Sequence, residues 1–291
     1  MSGPLWQATA TSEAEAFVRE LGINALPVCP FFIAGKLDIE VRPLPSRLHP
    51  GVSGILLRHD CNFGILYATY LDNDGFKRFC VGHELGHYRL PGHPESVLRD
   101  GMHRSHAGFT SKDQFELEAD HFAAGLLMPS FLFDAAMDKA GSGLEAIGTL
   151  AGRCTTSLTA TAIRYAQRTP DAAAIVVSIA HTVDYCFMSD SFREIRGIDW
   201  LRKGSSLPRS SVTYGFNDDD ANVARGERAD GESSLQDWFG GTLRAKLYEE
   251  VIGLGAYGKT LTILTAPDLP DSEEIEEEED LAESWKPRFR R

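Results

Sequence analysis

The sequence predicts an α+β protein of more than one domain, and three observations carry that expectation. Short apolar strands between residues 37 and 70 precede a helix that bears His83-Glu84-Leu85-Gly86-His87. A stretch of helical periodicity follows, up to about residue 168. Beyond Thr169-Pro170-Asp171, a linker-like step, the pattern turns β-rich. A length of 291 residues allows one to three domains with ample core. The divisions expected are a first domain over 1–140, a helical unit over 141–169, an α/β domain over 170–267 and an acidic disordered tail over 268–291.

Taken in order, Ser12 to Leu21 reads as a helix, with Ser12 and Glu15 as a capping box and Gly22 as its end. The prolines at 27 and 30 make residues 25–30 extended. Leu37-Asp-Ile-Glu-Val alternates as a half-buried strand does. Two more strands, Gly54 to Arg58 and Phe63 to Tyr70, are joined by a turn at His59-Asp60-Cys61-Asn62. An edge strand of such a sheet is a natural place for an extended peptide to add by main-chain hydrogen bonds.

The next helix starts at a cap on Asn73 or Asp74 and stops at Pro91-Gly92. Phe76, Cys80, His83 and His87 fall on one stripe of it, so the two histidines continue an inward-facing line. Residues four apart on a helix lie one above the other, which lets His83 and His87 offer two imidazole nitrogens to one ion. Glu84 sits one step round, where it reaches a water rather than the ion. Two nitrogen ligands, an open position and a carboxylate that takes a proton are the parts of a zinc-activated water. Catalytic zinc takes a third protein ligand. The helix Phe115 to Met128, with Phe115, Ala119, Phe122 and Leu126 on its packing face, offers Glu116 or Glu118; helix phase alone leaves both open. Asp120, four residues after Glu116, would hold a histidine N–H and fix its tautomer.

Residues 91–114 read as a loop containing His93, His103 and His106. These histidines, with Tyr88 and His121, are the candidates for stabilising an oxyanion, and for each an exposed polar side chain is the plainer reading. Phe131 to Ala140 reads as a helix. Residues 144–168 outline helix, tight turn and helix, with Thr156 or Ser157 as the second cap. Only Arg164 and Arg168 give that second helix positive charge, which favours a structural or partner-binding bundle over a DNA reader. In the last domain, strands are expected at Ala174–Ala180, Tyr185–Ser189, Ser211–Gly215 and Lys259–Thr265, with a helix over Leu243–Val251.

His83-Glu84-Leu85-Gly86-His87-Tyr88, then Glu116-Leu117-Glu118-Ala119-Asp120 and Phe122-Ala123-Ala124-Gly125-Leu126-Leu127-Met128-Pro129, resemble the ImmA/IrrE family of bacterial zinc metallopeptidases. The likeness is tight over about 75–130. It implies a minimal gluzincin-like (zincin) fold and an endopeptidase that cleaves a helix-turn-helix transcriptional repressor, derepressing a stress-response or mobile-element regulon. It also selects Glu116, paired with Asp120, as the third ligand over Glu118. In this family a helical unit follows the peptidase core, and some members carry a GAF-type sensor domain after it; residues 170–267 resemble one in layout.

Composition narrows the alternatives. Residues 271–291 contribute −5 of the net charge of −13, and the acidic remainder argues against broad phosphate-backbone binding. Five cysteines, at 29, 61, 80, 154 and 186, form no Cys-x-x-Cys pair, which suits a reducing cytosol. No apolar stretch reaches membrane-spanning length, and Met-Ser-Gly-Pro-Leu-Trp lacks the features of a signal peptide, so a cytoplasmic location is expected. The leading expectation is a zinc endopeptidase, with His83, His87 and Glu116 as ligands and Glu84 as the base. Such ligands would also accept manganese or iron. The rival is a non-proteolytic regulatory protein in which a fourth ligand, His103, His106 or Cys80, closes the site. Oligomeric state is not legible in the sequence.

Overall fold

The computed structural model describes residues 5–44, 51–71, 73–106 and 112–266. It divides into two compact units, Met1–Arg168 and Thr169–Arg291, both mixed α+β. The tail expected over 268–291 lies outside the described residues.

The first unit opens with α1 (Leu5–Glu20), which begins well before the expected cap at Ser12. Glu15 does not close a capping box on its own helix. Its carboxylate accepts from the Ser130 N–H at 2.9 Å and from Arg164 at 2.7 Å, and so serves other helices. A short helix, α2 (Pro30–Lys36), takes up residues expected before the first strand. Leu37 ends that helix, and β1 is therefore shifted to Glu40–Leu44. Next come β2 (Gly54–His59) and β3 (Asn62–Ala68), as expected, with Asp60 left-handed in the turn between them. The motif helix, α3 (Asp74–Arg89), is capped by Asn73, whose side chain accepts from the Phe76 N–H at 2.9 Å.

The stretch 91–114, read as loop, holds α4 (His93–Val97) and a short strand, β4 (Met102–Ser105). Then follow α5 (Gln114–Leu127), α6 (Ser130–Met137), α7 (Gly143–Cys154) and α8 (Leu158–Arg168). The turn into α8 is capped by the Ser157 hydroxyl, which accepts from the Ala160 N–H. Both cations of α8 are engaged internally, Arg164 with Glu15 and Arg168 with Asp134.

The first sheet runs in the order β1-β3-β2-β4, with β1 and β3 parallel and the other pairs antiparallel, so β4 is an edge. Leu56 and Ile65 of the sheet, Val81 and Leu85 of α3, Phe122 and Leu126 of α5, and Phe17 and Val18 of α1 form one buried core. Each such side chain, fully buried, contributes about 1.5–3 kcal/mol before the entropy of ordering it is subtracted. Helices α3 and α5 meet along a seam of small residues. A Cβ on Gly86 would lie 3.1 Å from the Ala119 Cα, and one on Gly82 would lie 3.4 Å from the Ala123 Cβ. Only because that seam is thin can acidic side chains of α5 reach the histidines of α3.

The second unit contains β5 (Ala173–Ile179), β6 (Thr182–Met188), α9 (Asp190–Arg193), α10 (Val212–Phe216), α11 (Asp220–Arg225), β7 (Arg228–Ser234), α12 (Leu235–Phe239), β8 (Lys246–Gly253) and β9 (Thr260–Thr265). Its five strands are antiparallel in the order β6-β5-β9-β8-β7. Ala174, Val176 and Leu264 of one face pack against Phe192, Trp238 and Phe239.

Two expectations for this unit are corrected. Ser211–Gly215 is a helix start rather than a strand, because the Ser211 side chain accepts from the Tyr214 N–H and buried Glu249 accepts from the Thr213 N–H at 2.7 Å. Residues 246–251 are strand rather than helix: Leu247, Glu249 and Val251 are buried in alternation, and residues 248–251 are paired on both sides. Pairing there overrides the helical preference of a Leu-Tyr-Glu-Glu sequence. Among the described residues, no helix is long and apolar enough to cross a membrane.

Candidate metal centre

Helix α3 turns His83, Glu84 and His87 into the interior, and all three are fully buried. Helix α5 brings Glu116 to them across the glycine seam. Ligand-type atoms of His83, His87 and Glu116 all lie within 4.8 Å of one another. The two Nε2 atoms are 3.0 Å apart, and Glu116 Oε1 is 3.1 Å from His87 Nε2. Glu116 Oε2 is 3.7 Å from His83 Nε2 and also accepts from the His106 N–H at 3.1 Å. His103, on the edge strand β4, places Nε2 at 2.7 Å from Glu116 Oε1.

Behind these atoms, Asp120 Oδ1 stands 2.8 Å from His83 Nδ1, which leaves Nε2 of that ring free to point at the cluster. His87 Nδ1 meets His93 Nδ1 at 3.1 Å, and His93 Nε2 meets Glu118 Oε2 at 2.9 Å. His93 is fully buried, so the exposed reading of that histidine is corrected. Glu118, the alternative third ligand, is half-buried and paired with His93. Neither residue carries a periodic signal; the hint available was the Pro91-Gly92 turn, which folds the chain back so that the His93 N–H bonds the Leu90 carbonyl.

Three further candidates lie outside the ligand cluster. The Tyr88 ring packs edge-on against Phe63 at 4.9 Å, the His121 ring faces Trp6 on α1, and Cys80 is buried one helical turn before His83. Burial, with Glu84 and Asp120 nearby, pushes the Cys80 thiol far above its ordinary value, so it is held as a neutral thiol. Among the described residues, the only cluster with metal-ligand geometry has three members, and the cleft in front of it is lined by His103, Arg104, His106, Asp113 and Phe115.

Burial and close contacts perturb the ionisable groups of this cluster strongly. Both Glu84 carboxylate oxygens are buried with no hydrogen-bond partner among the described residues. Such orphaned atoms are rare in folded proteins and call for an ion, a water or a catalytic role. Burial pushes the Glu84 carboxyl up to about 7, although His83 pulls the other way. Burial also opposes ionisation of Glu116, but His103, His83 and His87 together hold it well below the carboxylate range. Burial lowers His83 too, yet the Asp120 hydrogen bond and Glu116 raise it to about 10; burial and the neighbouring His83 take His87 down to about 3. Of the two rings, His83 is the one whose surroundings favour a positive charge. Two imidazoles and a carboxylate form a donor set used by catalytic zinc, and the residues present fit a divalent metal ion.

Glu84 also has a seat built for it. A Cβ on Gly54 of β2 would meet the Glu84 carboxylate head-on, lying 3.0 Å from both its Cγ and its Cδ. Nothing in the spacing of the sequence marks Gly54 for that role.

Residues 34–165 match the family model Peptidase_M78, described as an IrrE N-terminal-like domain. No curated protein matches the chain by sequence. Among solved structures, one described as a Mycobacterium tuberculosis transcriptional regulator is similar at a TM-score of 0.55 and 14% identity, over 89% of this chain and 76% of that one. That likeness is one of fold.

Proposed function

Residues 34–165 form an IrrE N-terminal-like domain of the ImmA/IrrE peptidase family, and from that premise we propose that the chain is a zinc-dependent endopeptidase. The observation that carries this reading is the buried convergence of His83, His87 and Glu116 beside the unpartnered carboxylate of Glu84. His83, His87 and Glu116 would hold the ion, with Asp120 fixing the His83 tautomer. Zinc, when bound, would supply a Lewis acid that polarises the scissile carbonyl and acidifies a water. Glu84 would take a proton from the attacking water on a carboxylate oxygen and deliver it to the leaving amine nitrogen. A carboxyl near neutral in its metal-free setting is suited to both moves. Among the described residues strand β4 pairs only with β2, and its other edge would receive an extended substrate beside His103.

The substrate proposed is a helix-turn-helix transcriptional repressor, and cleavage would release a stress-response or mobile-element regulon in the cytoplasm. Support for that choice is the family, and the internal pairing of Arg164 and Arg168, which favours a protein partner over DNA. The second unit, antiparallel sheet with flanking helices, would serve as the sensor-like domain. The test is to incubate the metal-loaded protein with helix-turn-helix repressors of the same genome. Cleavage that stops with chelator and returns with zinc is expected. Metal-loaded protein that cuts none of them would favour the rival reading, a non-proteolytic metal-binding regulator.

Gly54→Ala gives a second check on the same chemistry. The new methyl displaces the Glu84 carboxylate, and a misplacement of about 1 Å costs on the order of 100-fold in rate. Metal content should stay at the wild-type level, since the atoms nearest the added methyl belong to Glu84, which is outside the ligand cluster. Unchanged turnover in this variant would show that Glu84 does not need its seat.

A further inference from the structure

We propose that His93 and Glu118 are positioning residues for the metal, a relay that aims the ligand His87. This rests on His87 being a ligand, as proposed above, and adds an arm that neither the motif nor the family match assigns.

With His87 as a ligand through Nε2, the spacing of the heavy atoms leaves one arrangement of protons along the relay. If Nε2 of His87 is to point a lone pair at the ion, Nδ1 must carry the hydrogen. The nearest acceptor is His93 Nδ1, at 3.1 Å. His93 must then carry its own hydrogen on Nε2, which donates to Glu118 Oε2 at 2.9 Å. The chain of donors therefore ends on a carboxylate, as it does for His83, whose Nδ1–H donates directly to Asp120 at 2.8 Å. The two ligands are thus oriented by one scheme, with one histidine interposed on the second arm.

Position and packing support the assignment. His93 is fully buried and held edge-on against Phe115, with ring centroids 4.9 Å apart. It is delivered there by the left-handed Gly92, which starts α4. Glu118 projects from the helix that supplies Glu116, and the Gln114 side chain also donates to it. A buried imidazole with both nitrogens committed in line is costly to assemble unless its order is used. Outer partners of this kind fix ring orientation and raise ligand basicity, and their loss costs about 10–100-fold in metal affinity.

The test uses the full chain. Zinc affinity is measured by competition with a chromophoric chelator, and the visible spectrum of the cobalt-substituted protein is recorded alongside. His93→Phe, which fills the space without an acceptor, should weaken zinc binding about 10–100-fold and shift the cobalt bands. Glu118→Leu should weaken it by about tenfold. His93→Gln should restore most of the affinity, because its amide can accept from His87 and donate to Glu118. A merely structural histidine would not show that rescue together with an altered cobalt spectrum.

If His93→Phe does not fold, Glu118→Leu and His93→Gln carry the decision. Wild-type zinc affinity and an unshifted spectrum in the folded variants would overturn this inference alone. Failure of the wild-type chain to take up zinc would overturn the proposed function, and this inference with it.

Discussion

Glu84→Gln is expected to lower peptide cleavage by about 100- to 10,000-fold while leaving the metal content of the protein unchanged. The amide has the size of the carboxylate and fits the same seat against Gly54, so the fold has no reason to move. Its oxygen can still accept a hydrogen bond, but the side chain no longer takes a proton from water. The three-membered ligand cluster does not include Glu84, which is why metal and turnover should separate. Turnover and bound metal measured on one preparation decide the matter. Wild-type turnover would mean that another group is the base, and loss of metal would make Glu84 a ligand.

Glu116→Gln should do the reverse and remove the metal itself. Loss of an outer partner costs about 10–100-fold in affinity, and loss of a charged ligand should exceed the upper end of that range. Glu116 supplies the only carboxylate in the cluster, so its removal also takes away the charge that offsets a dication. Zinc titration of the variant beside wild type reads this directly. An affinity within a few-fold of wild type would exclude Glu116 from the ligand set.

The same titration repeated across pH carries a sign. His83 in the metal-free protein is raised to about 10 by Asp120 and Glu116 against the pull of burial, so binding must expel a proton from it. Wild-type affinity should therefore climb as pH rises through the neutral range.

The parts of the centre that were legible in the sequence are those set by helix geometry. His83 and His87 share a face because they are four apart, and of the two caps expected, Asn73 or Asp74, the helix uses Asn73. Glu116 and Glu118 could not be separated by phase. What separates them in the structure is the approach of α5 to α3, allowed by Gly82 and Gly86 against Ala123 and Ala119. Strand β4 was missed because Met102-His103-Arg104-Ser105 is short and polar, and its pairing with β2 is a long-range event. The β-branched run of β5 was plain, whereas β8 carries helix-favouring residues and is held in the sheet by neighbours on both sides. The capping-box reading of Ser12 and Glu15 failed for a related reason: the glutamate answers to residues more than a hundred positions away.

That last contact bears on where the peptidase unit can be cut. The family match begins at residue 34, yet the Glu15 carboxylate satisfies the first turn of α6 and the Arg164 guanidinium. Gly125 of α5 is closed over by Thr11, and Phe17 and Val18 cover the Phe122 side of the core. A fragment starting at residue 34 would lay bare the back of the very helix that carries Glu116, and would strand a buried arginine. The portable piece, whether moved by recombination or at the bench, is therefore longer than the recognisable one: it has to bring α1 with it.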